Sequence, residues 1–314
     1  PRCCSPVNGS PVASGNGRSR SFPEVTASSD LPYPPFELAN RVIELPSNDF
    51  AGYVHYEMAG RQTRDELLDL LPDGYTLEGR SLLDFGCGAG RTLRQFHEEA
   101  SSARVVGCDI DRESIDWMQA NLAPIEAVCS EVDPPLPFES GSFDFIWAIS
   151  VFTHLTGNSA AWLMELHRLL KPGGLLMASY MGELNSEEVA GEPWDENRIG
   201  MNVLRHSQGW DVGGPMVLMS DWWVDEHWGR AFEIRKRHFA GGQTWALLEK
   251  KDVRLSADEL MAAGDDPREI AALRHNVAQL QAEIDDLKSH QQGGSLARAG
   301  SALKRRASRL RRPD

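Results

Sequence analysis

One stretch constrains the fold of this chain more than any other: Ser81-Leu82-Leu83-Asp84-Phe85-Gly86-Cys87-Gly88-Ala89-Gly90-Arg91. Leu82, Leu83 and Phe85 make the short apolar run that a strand buried on both faces needs. Gly86, Gly88 and Gly90 then let the backbone turn tightly and approach a ligand with no Cβ in the way. Residues 91–100 follow with helical spacing, Leu93 and Phe96 falling on one face. The pattern predicts a buried strand, a glycine turn and a helix whose N-terminus faces a ligand.

Glycine spacing narrows that ligand. The dinucleotide fingerprint runs G-x-G-x-x-G. Here the order is G-x-G-x-G, with Asp84 two residues before the first glycine. A second apolar run, Val105-Val106-Gly107-Cys108-Asp109, ends in an acid able to accept two hydrogen bonds from a ribose diol. Both kinds of nucleotide site share that acid, so the discrimination rests on the glycines.

With two further segments, these residues resemble class I S-adenosylmethionine-dependent methyltransferases. Leu82 to Gly90 resembles the family's first motif, and Asp109 its second-strand acid. Leu136-Pro137-Phe138-Glu139-Ser140-Gly141-Ser142-Phe143-Asp144-Phe145-Ile146 resembles the entry to its fourth strand, and Leu169-Leu170-Lys171-Pro172-Gly173-Gly174 the turn before its fifth. The likeness covers roughly residues 50–250, with the sharp motifs in the first half. It implies an α/β, Rossmann-like, mostly parallel seven-stranded sheet in the order 3-2-1-4-5-7-6 with strand seven antiparallel, and S-adenosyl-L-methionine as cofactor. It also implies cofactor contacts from Asp84, Gly86, Cys87, Gly88, Gly90, Asp109, Ile110 and Ile149. After strand three, Cys129-Ser130-Glu131-Val132-Asp133-Pro134-Pro135 departs from the usual acid-first pattern. There Ser130 or Glu131 stands nearest the adenine position, with a solvated loop as the alternative.

The rest of the chain supports alternating units. Residues 1–35 begin with a Ser/Pro/Gly-rich stretch expected to be disordered and end in an extended proline linker. Residues 36–252 form the expected domain. Its pattern is helical from Phe36 to Leu71, with Leu67, Leu68, Leu70 and Leu71 apolar on one face. Strands follow at 81–85, 104–109, 125–129, 143–150 and 175–180, with helices at 91–100, 112–122 and 159–170 between them. Asp111 is expected to cap the second of these helices. Residues 182–219 read as an irregular insertion over the carboxyl edge of the sheet, followed by a helix near 220–229. A hairpin of 232–239 and 244–250 closes the sheet.

Catalysis asks little of such a protein, because in-line placement of a nucleophile is most of the task. His154 follows strand four at the carboxyl edge, where ligands bind in these sheets, and has the ring suited to a general base. A bracing role suits it equally. His206, Tyr53, His55, Tyr56, Trp194 and Trp210 are candidates to line an acceptor pocket, with simple packing the plainer reading of each. No cysteine or carboxylate cluster stands at metal-ligand spacing, so no metal is expected.

Charge and cysteines bound the setting. The net charge of −14 argues against a domain that grips nucleic acid through its phosphates. Cys3, Cys4, Cys87, Cys108 and Cys129 are too sparse for a disulfide scaffold, which favours a reducing, cytoplasmic setting. No apolar run is long enough to span a bilayer, and no signal segment opens the sequence. The first residue is Pro1 rather than Met, so the natural start is expected further upstream.

The tail changes character. Ile270, Leu273, Val277, Leu280, Ile284 and Leu287 step by three and four, an a/d seam that predicts a coiled coil over 266–290. It would most simply make a parallel or antiparallel helix dimer, or bind a partner helix, with packing back on its own domain as the alternative. A basic disordered tail is expected at 291–314, able to touch anionic lipid or nucleic acid, with a solvated end the plainer reading. Together these features point to methyl transfer onto an oxygen of a small molecule or glycan. The alternative is a degenerate cofactor-binding scaffold that assembles partners through its coiled coil. RNA methylation ranks lower, because no Asn/Asp-Pro-Pro-Tyr segment is present.

Overall fold

The computed structural model describes residues 31–208 and 214–309. The segment 1–30 with Cys3 and Cys4, residue Trp210 and the last five residues lie outside the described residues.

Two helices, α1 (Phe36–Val42) and α2 (Phe50–Leu70), precede the sheet. Asp49 starts α2 by accepting the N–H groups of Ala51 and Gly52. The alternating units are β1 (Ser81–Phe85), β2 (Arg104–Asp109), α3 (Arg112–Asn121), β3 (Glu126–Cys129), β4 (Phe143–Ala148), α4 (Ser159–Leu169) and β5 (Leu170–Tyr180). Next come α5 (Ser186–Ala190), β6 (Met201–Leu204), β7 (Met216–Met219), α6 (Asp221–Ala231), β8 (Phe232–Ala240), β9 (Gln243–Lys250), α7 (Ala257–Met261) and α8 (Arg268–Arg309).

The main sheet has the order β3-β2-β1-β4-β5-β9-β8. Its first five strands are parallel, and β9 runs antiparallel to β5 and β8. Counting β8 and β9 as sixth and seventh, this is the arrangement that the family resemblance implies. Alternate strand residues feed two cores. Leu83, Phe85, Val106, Ile146 and Leu176 pack with α4 and α6 on one face. Leu82, Val105, Phe145, Trp147 and Met177 pack with α2 and α3 on the other. Each such side chain contributes about 1.5–3 kcal/mol on burial, so the strand pattern and the helix stripes stabilise the same layered arrangement.

Several expectations need correction. Residues 91–100 form no α-helix; they form two short 3-10 turns, Leu93–Phe96 and Glu99–Ser101. The backbone of α2 crosses directly over this segment, and the Arg94 side chain is drawn inward to the carbonyls of Leu31 and Pro32. These contacts outweigh the local propensity. Asp111 sits at the start of α3, yet its carboxylate accepts from the Ser114 hydroxyl and the Arg41 guanidinium, with no backbone cap bond. The insertion at 182–219 lies over the sheet edge as expected, but it is not irregular. It holds α5 and an antiparallel pair, β6 with β7, tied down by Val217 N–H on Thr153 O and Met219 N–H on Met181 O. The final helix α8 continues past residue 290 to Arg309. Among the described residues, no helix is long and apolar enough to cross a membrane.

Candidate functional site

The site is built where β1 and β2 end. Gly86 N–H and Cys87 N–H both donate to Cys108 O, at 2.8 and 3.1 Å, stitching the turn after β1 to β2. Gly86 has φ +82° and Gly88 φ +52°, a region that side chains rarely adopt. A Cβ on Gly86 would stand 2.4 Å from Val151 Cγ2, and one on Gly88 2.1 Å from Val42 Cγ1. The turn is therefore closed from two sides, by α1 and by the segment after β4, and only glycine fits beneath them.

Asp109 stands at the mouth of this turn. Gly88 N–H donates to its Oδ2 at 2.7 Å and Asp111 N–H to its Oδ1 at 2.8 Å. Each oxygen keeps a second lone pair for a hydroxyl donor. Burial raises its carboxyl above the ordinary range, and those two N–H groups pull it part of the way back. Asp84, near the end of β1, is 5% exposed. Burial pushes its carboxyl up to about 7, against the pull of the Arg91 charge. Two acids, both raised by burial, thus sit at the ends of neighbouring strands.

Other sequence-predicted residues distribute themselves around this centre. Ile110, beside Asp109, is 41% exposed. Ser130 is buried and its N–H donates to Asp109 O, whereas Glu131 is exposed on the next residue. Cys87 turns its thiol into the core, 3.7 Å from Met118 Sδ, leaving only its backbone at the turn. Ile149 is half-buried directly after β4. Tyr56 is fully buried and donates from its hydroxyl to Ala89 O, bracing the turn from α2. His55 and His206 are exposed, Tyr53 donates to Pro34 O, and Trp194 packs among Met181, Ile199, Leu204 and Leu218.

His154 lies beneath the β6–β7 hairpin. Its Nδ1 is 2.8 Å from Pro215 O. A carbonyl partner calls for a proton on Nδ1, which in the neutral ring leaves the Nε2 lone pair free to accept.

One feature escaped the sequence reading. Ser150, exposed after β4, holds φ +61°. Its N–H donates to Ser179 Oγ at 2.7 Å, the Ser179 hydroxyl donates to Gln243 Oε1 at 2.7 Å, and Gln243 Nε2 donates to Ser150 Oγ at 2.8 Å. This closed ring joins the carboxyl ends of β4 and β5 to the start of β9. Left-handed backbone at a non-glycine residue costs roughly 1–3 kcal/mol and persists where the surroundings enforce it. Its three members are far apart in sequence, and no spacing rule connects them. A separate cleft of about 620 Å³, lined by Leu71, Asp73, Tyr75 and Glu99 among others, opens by the segments leading into β1 and β2, at the opposite strand ends from the glycine turn.

Residues 83–178 match the family described as a methyltransferase domain. This segment is similar to a methyltransferase domain, and it sits in the seven-stranded sheet described above. The methyl donor of such domains is S-adenosylmethionine, and the acid at the turn, the glycine backbone and the apolar Ile110 suit its ribose and base. Relatives include a 2-methyl-6-phytyl-1,4-hydroquinone methyltransferase of Synechocystis sp., 29% identical over 41% of this chain and 39% of that protein. A malonyl-[acyl-carrier protein] O-methyltransferase of Methylovorus sp. is 26% identical over 50% of this chain and 55% of that protein. A tRNA N(3)-methylcytidine methyltransferase of Schizosaccharomyces pombe is 31% identical over 43% of this chain and 45% of that protein. The chain spans about half the length of the curated relatives it matches.

Proposed function

We propose that this protein transfers a methyl group from S-adenosylmethionine to an oxygen of a small-molecule or glycan acceptor. The observation that carries this reading is the union of Gly88 N–H with the Asp109 carboxylate at the carboxyl ends of β1 and β2, where ligands bind in such sheets. When bound, the cofactor supplies a methyl group already activated on a sulfonium sulfur. Asp109 would accept the ribose hydroxyls through its spare lone pairs, Ile110 would cover the base with Ser130 or Glu131 at its edge, and Ile149 would flank it. Asp84, Gly86, Cys87 and Gly90 would shape the remainder of the pocket, Cys87 through its backbone alone.

His154 would take the proton from an acceptor hydroxyl on Nε2, with Pro215 O fixing the ring through Nδ1. The hairpin above it would exclude water and shape the acceptor pocket. The net charge of −14 supports a small or neutral acceptor over a polyanion. Likeness to an O-methyltransferase supports oxygen as the atom, and likeness to a tRNA methyltransferase makes nucleic acid the reading to test against it.

The test is calorimetric titration with S-adenosylmethionine, S-adenosylhomocysteine and NAD in parallel, followed by transfer of labelled methyl to hydroxylated small molecules, glycans and total RNA. Binding of the first two with label on a hydroxyl acceptor is expected. Binding of NAD alone would overturn the cofactor assignment, and label on RNA alone would overturn the acceptor class.

A further inference from the structure

Helix α8 is mounted on the body by its polar side. Asn276 Oδ1 accepts from Val203 N–H at 3.0 Å, and Glu283 accepts the N–H groups of Arg205 and His206 at 2.6 and 3.0 Å. Gln279 reaches both Asn202 and Glu192. At its root, buried Glu269 meets His227 Nε2 at 3.2 Å. These bonds cover the free edge of β6, whose other edge pairs with β7. An open strand edge is a row of unmet donors and acceptors, so this cover is structural.

The same bonds fix how α8 is rotated. Five of the six seam residues are left facing outward, Ile270 at 61% exposed, Leu273 52%, Val277 63%, Ile284 45% and Leu287 44%, while Leu280 is half-buried. The stripe cannot roll onto the body without breaking every bond that holds the helix. Packing of the seam onto its own domain is therefore ruled out.

The residues in the seam select the occupant. The a positions, Ile270, Val277 and Ile284, are all β-branched, and the d positions, Leu273, Leu280 and Leu287, are all leucine. This combination favours two parallel strands. In that arrangement every a residue faces its own copy and every d residue likewise, so one sequence satisfies both sides. Here the body already holds α8 in place, so little ordering cost remains at association.

We propose that residues 270–287 form a parallel, in-register coiled coil with the same residues of a second copy of this chain. Sedimentation equilibrium of the full chain is expected to return twice the chain mass. The double variant Leu273→Glu/Leu280→Glu is expected to return the single mass with an unchanged circular dichroism spectrum. Direction and register are read by cysteine cross-linking in a Cys3→Ser/Cys4→Ser background, judged against that background alone. Ile270→Cys and Leu287→Cys are each expected to link to their own kind on mild oxidation. A full chain that stays monomeric at every concentration, a trimer or larger species, or a link that forms only when the two cysteine variants are mixed would each overturn the proposal.

Discussion

Asp109 holds the glycine turn before any ligand arrives, because its carboxylate accepts the N–H groups of Gly88 and Asp111. Asp109→Ala is expected to weaken S-adenosylmethionine binding by about 1–3 kcal/mol, since donors in the protein and on the ribose lose a charged acceptor together. Calorimetry reads this directly, and unchanged affinity would put the ribose elsewhere. Asp84 adds a pH dependence of its own. Its carboxyl is raised from 3.8 to about 7, so the buried neutral form stabilises the free protein at low pH. That contribution is lost as pH rises from about 4 to about 7, and Asp84→Asn is expected to flatten this part of the stability curve. A cationic donor favours the ionised carboxylate. Donor affinity is therefore expected to climb toward pH 7, by at most about tenfold per unit, and to level off above it. Titrations at stepped pH would show the slope in the wild type and none in Asp84→Asn.

At the scale of elements, the crossing of α2 over the segment after β1 decides the sign of a simple substitution. Replacing a mid-helix glycine by alanine ordinarily stabilises by about 1 kcal/mol. A Cβ on Gly60 would lie 2.3 Å from the Arg91 carbonyl oxygen, a backbone atom with nowhere to go. Gly60→Ala is therefore expected to destabilise by about 1–3 kcal/mol, read as a lower denaturant midpoint at unchanged slope. That crossing also marks where sequence reading stopped. The parallel strands were legible because runs such as Leu82-Leu83 and Phe145-Ile146-Trp147 are apolar on both faces, and the motifs around them carry the topology. Leu93 and Phe96 kept their predicted burial while their helix did not form, because burial is a local pattern and the crossing is not. Met201-Asn202-Val203-Leu204 is too short and too mixed to announce a strand, and although one edge pairs with nearby β7, the partners of its other edge lie more than seventy residues away on α8. The turn residues Gly86, Gly88 and Asp109 were legible for the same reason as the strands, since they follow one another along β1 and β2. The Ser150, Ser179 and Gln243 ring was not, since three loop ends meet there only after the sheet has formed.

At the scale of the whole molecule, α8 has two faces with two separable duties, and variants can divide them. Its polar face supplies acceptors to β6, which pairs with β7, and the residue just before β7, Pro215, holds the His154 ring. Its apolar face is turned away from all of this. Cutting the chain after residue 265 removes both faces at once. It leaves the N–H groups of Val203, Arg205 and His206 without acceptors, each costing about 1–3 kcal/mol where water does not replace the partner. Such a truncation is expected to lower the melting temperature at every protein concentration and to raise the Michaelis constant for the acceptor, because the hairpin over His154 loses its outer support. Leu273→Glu/Leu280→Glu removes only the apolar seam. It is expected to keep the acceptor Michaelis constant and the low-concentration melting temperature, and to abolish the rise in melting temperature with concentration that a dimer shows by mass action. Differential scanning calorimetry at several concentrations, run beside acceptor kinetics, separates the two. If the seam variant shifted the Michaelis constant as far as the truncation does, the second copy would be acting on the acceptor pocket, and the division of α8 into a support face and an assembly face would be wrong.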